Sequence, residues 1–349
     1  MSPTALSLLN PILAALVVVH SLSAVADERP AIIVGGEPEG DPRPRPETPI
    51  ERVAVLGPQH SGTNMMREQM ARAFAVPVEN FLEAPRPGGD RRRFFKHWFH
   101  HPRDLEAADR AATLVVVMVR EPYAWLDAMF RYAHHTCRFE SRAEMLAREH
   151  VSQVRRGCPK NSRICRRDCA ELADDWLPSG RPQKANDRDP VTGLRFANIL
   201  ANRRAKLTYF RHLPFFLEHA PVVFVRYEDM VLRPGRVFRE IERAFPIRRR
   251  EGAQPPGHFV KPQSVEAVKG RAELLCFNLT MRQKVQEGLA PGSESFFGYG
   301  DLLPVFPVAS LTAPRCRKPG RSVIPAKCCE PAHLARLRDV PITTSPDDA

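Results

Sequence analysis

Residues 53–74 read VAVLGPQHSGTNMMREQMARAF, and the order of properties in this stretch decides the fold. Val53 to Leu56 is a short, continuous apolar run, the pattern of a buried strand. A turn follows in which Gly57 and Gly62 have G-x-x-x-x-G spacing, and then Met66, Met70, Ala73 and Phe74 recur at helical spacing. Strand, glycine turn and helix together let backbone N–H groups and a helix N-terminus wrap around phosphate oxygens. A kinase or nucleoside-triphosphate hydrolase needs lysine after the second glycine to reach the β- and γ-phosphates, then serine or threonine to hold magnesium. Thr63 and Asn64 stand there instead. The turn suits an anion and is poorly equipped for magnesium-dependent phosphoryl chemistry.

The same order recurs downstream. An apolar strand from Leu114 to Val119 ends in Arg120-Glu121-Pro122, and another from Val222 to Val225 ends in Arg226-Tyr227-Glu228-Asp229, each followed by a helical pattern. Continuous Val and Leu strands separated by helices predict an α/β fold, a parallel β-sheet flanked by helices on both faces. Ligands of such sheets bind at the carboxyl ends of the strands, where these polar residues fall. An acidic pair at a strand end also serves simply to cap the next helix, so Glu228 and Asp229 admit both readings.

Outside this body the composition changes. The first 26 residues carry no charged side chain and run through LSLLNPILAALVVV to Ala24-Val25-Ala26, which predicts a signal peptide, or an uncleaved membrane anchor over residues 6–26. Eight cysteines, at 137, 158, 165, 169, 276, 316, 328 and 329, and the sequon Asn278-Leu279-Thr280 agree with the secretory pathway, either the Golgi lumen or secretion. Residues 27–50, with proline at 30, 38, 42, 44, 46 and 49, read as an extended stem or linker that builds neither helix nor sheet ladder. The folded domain is thus expected over 51–305, with 134–184 as a Cys- and Arg-rich insertion tied by disulfides and 306–349 as a Pro- and Cys-rich tail. The C-x6-C-x3-C spacing of Cys158, Cys165 and Cys169 lacks the C-x-x-C pair of structural zinc sites. A formal charge of +12, from 52 Lys and Arg against 40 Asp and Glu, calls for an anionic partner without choosing among nucleotide, acidic glycan and nucleic acid.

GPQHSGTN resembles the 5′-phosphosulfate loop of the sulfotransferases that use 3′-phosphoadenosine-5′-phosphosulfate (PAPS), where the pattern is close to P-[KR]-S-G-T-[TN]. Three further stretches resemble that family in the same order. VVVMVREPYAWLDAMFRY is similar to its 3′-phosphate strand and helix, VVFVRYEDMVLRPGRVFREIERAF to its Y-E-D strand and helix, and SFFGYGD to its closing G-Y segment. RRRFFKHWFHHPRD, residues 91–104, resembles the family's second strand with a Lys/His pair at its end. The resemblance spans roughly residues 51–302 and implies a P-loop sulfotransferase fold of the Golgi type, with PAPS as co-substrate and neither metal nor nucleic-acid partner.

Residue by residue, the resemblance puts Gln59, His60, Ser61, Gly62, Thr63 and Asn64 around the 5′-phosphosulfate. It puts Arg120 on the 3′-phosphate, where a guanidinium suits bidentate recognition. Sulfuryl transfer needs a base for the acceptor hydroxyl and a cation at the departing oxygen, roles that fall to His97 and Lys96. His100, His101, Glu68 and Glu83 are the alternative bases, and Lys269 and Arg271 resemble later residues that close over the 3′-phosphate. Two positions depart from the family: His60 stands where it has Lys or Arg, and Ala128 where it commonly has serine. The arginine runs at 91–93, 163–167 and 248–250 suit an acidic acceptor such as a glycan, or form a solvated basic face. A non-catalytic nucleotide- or glycan-binding protein on the same scaffold is the competing expectation, and a P-loop kinase or hydrolase, disfavoured by Thr63 and Asn64, the third.

Overall fold

The computed structural model describes residues 30–35, 49–85, 91–97, 99, 112–131, 139, 141–150, 189, 192, 194–217, 220–253, 264, 265, 268 and 276–300. Its centre is a five-stranded sheet flanked by helices. The strands are β1 (Ile32–Val34), β2 (Arg52–Leu56), β3 (Val78–Glu79), β6 (Thr113–Val119) and β7 (Val222–Arg226), in the order β1-β7-β6-β2-β3. The β7–β6, β6–β2 and β2–β3 pairs are parallel, with Val53 opposite Leu114 and Val115 opposite Val222. A separate antiparallel hairpin, β4 (Phe81–Pro85) with β5 (Arg91–Phe95), stands off the main sheet.

Eight helices are named: α1 (Thr63–Ala73), α2 (Pro122–Arg131), α3 (Arg142–Ala147), α4 (Ile199–Phe216), α5 (Tyr227–Leu232), α6 (Pro234–Ala244), α7 (Leu279–Gly288) and α8 (Pro291–Phe296). Alternation along the strands divides the core in two. Val53, Val55, Leu114, Val116, Met118, Val223 and Val225 face Met66, Met70 and Ala73 of α1 and Val237, Phe238 and Ile241 of α6. Their neighbours Ala54, Leu56, Val115, Val117, Val119, Val222 and Phe224 face Leu207, Phe210 and Leu213 of α4, with Phe297 and Tyr299. Both faces being covered explains why the strands read as unbroken apolar runs.

The structure differs from the sequence expectation in three places. Ile32–Val34, inside the expected 27–50 stem, is an edge strand antiparallel to β7, with Ile32 opposite Val225. The apolar run Ala31-Ile32-Ile33-Val34 is long enough for one short strand, and Pro30 precedes the ladder and so costs it no N–H. Glu240 Oε2 takes the Ala31 and Ile32 N–H groups at 2.8 and 3.1 Å, fastening the edge to α6. The sheet is therefore mixed, not wholly parallel. Second, residues 141–150 belong to the core: Met145 and Leu146 of α3 pack with Tyr123, Trp125 and Phe277, and Arg142 reaches the buried Asp127 at 2.6 Å. Third, β5, which resembles a second sheet strand, pairs with β4 and not with the main sheet.

Residues 1–26, the three-cysteine stretch 158–169 and the tail 306–349 lie outside the described residues, as do His100, His101, Lys269, Arg271 and the side chain of Glu83. Cys276 is disulfide-bonded. Among the described residues no helix is long and apolar enough to cross a membrane.

Candidate functional site

The loop between β2 and α1 has a shape that depends on its two glycines. Gly57 has φ 145°, and a Cβ there would stand 2.3 Å from the Met118 carbonyl of β6. Gly62, at the N-cap of α1, has φ 88°, and a Cβ would meet the Tyr227 ring at 2.5 Å. Between them His60 is held at φ 57°, a left-handed conformation that non-glycine residues adopt at a cost and that collects at ligand sites. Ser61 donates its hydroxyl to the Pro58 carbonyl at 2.7 Å and its N–H to the same oxygen at 3.3 Å. Both donors of Ser61 thus close the turn. Thr63, Asn64 and Met65 open α1, where backbone N–H groups have no intrahelical carbonyl.

The cation missing at Thr63 arrives through space. The hairpin returns the chain so that the Gly57 N–H donates to the Lys96 carbonyl at 3.0 Å and the Lys96 N–H to the Asn80 carbonyl at 3.1 Å. Lys96 is buried, and its ammonium donates to Oδ1 of Asn64, which also accepts Asn80 Nδ2 at 3.2 Å. Burial, and after it the charge of Arg67, pulls the Lys96 pKa from 10.5 down to about 8. Arg67, one turn into α1, escaped sequence reading. Its place four residues after Thr63 was the available signal, because i and i+4 share a helix face.

His97 is also buried, and its Nδ1 lies 2.6 Å from the Gly57 carbonyl. A carbonyl only accepts, so Nδ1 carries the hydrogen, and in the neutral ring Nε2 is the basic nitrogen. The Lys96-His97 pair therefore meets the loop at both of its ends, Gly57 and Asn64.

Arg120 leaves the carboxyl end of β6, stacks over the Tyr227 ring at 4.4 Å and donates Nη1 to the His60 carbonyl at 3.1 Å. Its Nε, like that of Arg67, is buried with no hydrogen-bond partner among the described residues. Buried donors left without an acceptor are costly, and a bound anion would satisfy them. Arg120 is held from behind: its carbonyl accepts Arg203 Nη2 at 2.9 Å, and Arg203 forms a fully buried two-bond pair with Glu294 at 2.7 and 2.8 Å.

The acidic residues after β7 are structural. Glu228 accepts the Tyr299 hydroxyl at 2.8 Å and the Glu121 N–H at 3.1 Å, joining the closing segment to β6. Asp229 pairs with Arg226 and Arg233. Burial and the neighbouring Glu228 carboxylate push the Tyr299 hydroxyl well above its ordinary pKa, so it stays a donor.

Gln59 is fixed at both ends. Its carbonyl accepts Trp125 Nε1 at 2.7 Å, and its side-chain oxygen accepts Lys206 Nζ at 2.9 Å. Lys206 was not foreseen, since a lysine in a helix ordinarily reads as solvent-facing. Ala128 is buried in α2, and Glu68 is exposed on α1. Gln59, His60, Ser61, Gly62, Thr63, Asn64, Lys96, His97 and Arg120 are thus brought to one place. No protein-family model, no curated protein and no solved structure matches the chain.

Proposed function

We propose that the chain is a PAPS-dependent sulfotransferase of the P-loop sulfotransferase fold, acting in the secretory pathway on a hydroxyl of an acidic acceptor such as a glycan. The observation that carries this reading is the buried ammonium of Lys96 on Asn64, at the start of the helix that closes the anion loop. The loop with its helix N-terminus would hold the 5′-phosphosulfate, and Arg120, whose Nε has no partner among the described residues, the 3′-phosphate.

In the transfer, the acceptor O–H gives its proton to His97 Nε2 while its oxygen bonds to sulfur. The bond from sulfur to the 5′-phosphate oxygen breaks in line, and adenosine 3′,5′-bisphosphate leaves with that oxygen. Charge growing there is stabilised by Lys96, in a site where burial strengthens the interaction. The hydrogen bond from Nδ1 to Gly57 would set both the tautomer and the ring's direction.

Labelled PAPS, a panel of glycan acceptors and a chelator, incubated with purified protein, should give a sulfated product. His97→Ala should lower turnover by about 100-fold or more, the usual size of a general-base contribution. Tight nucleotide binding with no acceptor ever sulfated would favour the non-catalytic binding protein. Turnover of ATP with magnesium alone would sink the proposal.

A further inference from the structure

Behind the loop lies a second cation. Lys206 of α4 is 1 % exposed, donates Nζ to Gln59 Oε1 at 2.9 Å, and lies 5.8 Å from the centre of the Phe99 ring. An ammonium offers donors only, so the Gln59 amide must turn its oxygen to Lys206 and present its NH2 as the donor end. The other end of Gln59 is pinned by Trp125. Burying an ammonium carries a large desolvation cost, which an apolar side chain of the same length would avoid. Its hydrogen bond to Gln59 ties it to the anion loop.

Two neighbouring substitutions give that contact a purpose. When P-[KR]-S-G-T-[TN] is laid on Gln59–Asn64, glutamine at position 59 in place of proline is a third departure, beside the cation absent at His60. The chain has an amide where proline would offer no hydrogen bond, and that amide is tied to a buried cation.

We propose that Lys206 and Gln59 form a buried brace that puts fixed positive charge behind the 57–64 loop in place of the cation absent at His60. Lys206 is then a positioning residue for the 5′ group of a bound nucleotide, acting through Gln59. The brace rests on the reading of the loop as a nucleotide site, and it predicts which end of the nucleotide feels the loss.

The test is calorimetric titration of the purified full chain with adenosine 3′,5′-bisphosphate, adenosine 5′-monophosphate and adenosine 3′-monophosphate, with melting temperatures recorded for every variant. Lys206→Met should weaken the two 5′-phosphorylated nucleotides by about tenfold and leave the 3′-monophosphate within about twofold, with Lys206→Arg restoring part of the loss. Gln59→Leu should weaken the same two nucleotides, and the double variant should lose no more than Lys206→Met alone, because Gln59 acts only as the link to that charge. Unchanged affinities in Lys206→Met, equal losses for all three nucleotides, or additive losses in the double variant would each overturn the brace. If Lys206→Met does not fold, Gln59→Leu decides by the same ratios. Wild-type protein that binds none of the three would overturn the nucleotide reading and the brace together, whereas wild-type binding with an unaffected Lys206→Met overturns the brace alone.

Discussion

Lys96 should take up a proton when an anion enters the loop. Burial, with the Arg67 charge adding to it, brings its pKa to about 8. About one molecule in ten then carries a neutral Lys96 at pH 7, about half at pH 8 and about nine in ten at pH 9. An anion beside Nζ favours the charged form. If it returns the amine to its ordinary range, binding consumes about 0.1 proton per nucleotide at pH 7, about 0.5 at pH 8 and about 0.9 at pH 9. Titrating adenosine 3′,5′-bisphosphate calorimetrically in buffers of different ionisation enthalpy measures this number, and Lys96→Met should erase its pH dependence. Uptake that stays flat from pH 7 to 9, or a rise that survives in Lys96→Met, would refute the placement of the ammonium at the anion. The same shift has a consequence for stability. Between about pH 8 and pH 10.5 the unfolded chain holds the Lys96 proton that the native protein has lost, so stability rises with pH across this window. Keeping the buried amine charged at pH 7 therefore costs the native state stability, and Lys96→Met should be more stable than wild type there while binding the nucleotide less well.

Gly62→Ala should destabilise by about 1–3 kcal/mol in urea denaturation, because the new Cβ meets the Tyr227 ring at 2.5 Å and φ is 88°; unchanged stability would mean that the loop relaxes without strain. Glu294→Gln leaves the fully buried Arg203 without its carboxylate and should cost about 3–5 kcal/mol, with a parallel loss of nucleotide affinity because Arg203 also holds the Arg120 carbonyl. Asn278 is exposed and caps α7 by accepting the Met281 N–H on Oδ1 at 2.9 Å, so a glycan on Nδ2 leaves the cap intact. Expression in cells with a secretory pathway should give a glycosidase-sensitive band that Thr280→Ala removes without lowering the melting temperature.

The sheet was legible because β2, β6 and β7 are buried on both faces and therefore read as continuous Val and Leu. β1 was not, because four apolar residues between Pro30 and Gly35 give too short a signal to stand against six prolines. Its strand character comes from the open edge of β7 and the Glu240 carboxylate, neither of which local composition reveals. At the site, Gly57 and Gly62 announced themselves by spacing and Arg120 by standing at a strand end, whereas the Lys96-His97 pair was reached only through the family resemblance. What brings Lys96 to Asn64 is a hairpin that returns the chain, a tertiary event. The buried cations of α4 were hidden for a different reason. Arg203 and Lys206 share a helix face with Ile199, Leu207 and Phe210, and the apolar period alone gives no reason to place charges in the interior. The residue types that break an apolar face were the available clue, since buried charge persists where a partner holds it.

A phosphate loop with its own lysine carries cation and backbone donors on one rigid unit. Here the cations come from elsewhere: Lys96 from the end of the β4–β5 hairpin and Lys206 from α4. Anion affinity should therefore depend on how these elements dock as well as on the loop. Two main-chain bonds, Gly57 N–H to the Lys96 carbonyl and Lys96 N–H to the Asn80 carbonyl, tie the hairpin's end to the loop, and the His97 ring adds a third contact at Gly57. Because the His97 contact and the Gly57 amide act on the same peptide neighbourhood, removing His97 should loosen Lys96 as well as delete a base. A fall in nucleotide affinity in His97→Ala, beyond the loss of turnover, would be the sign that positioning and proton transfer are joined in one adjacent pair. In His97→Asn, whose shorter amide still offers a donor toward Gly57, affinity should recover while turnover does not, because the amide has no basic nitrogen.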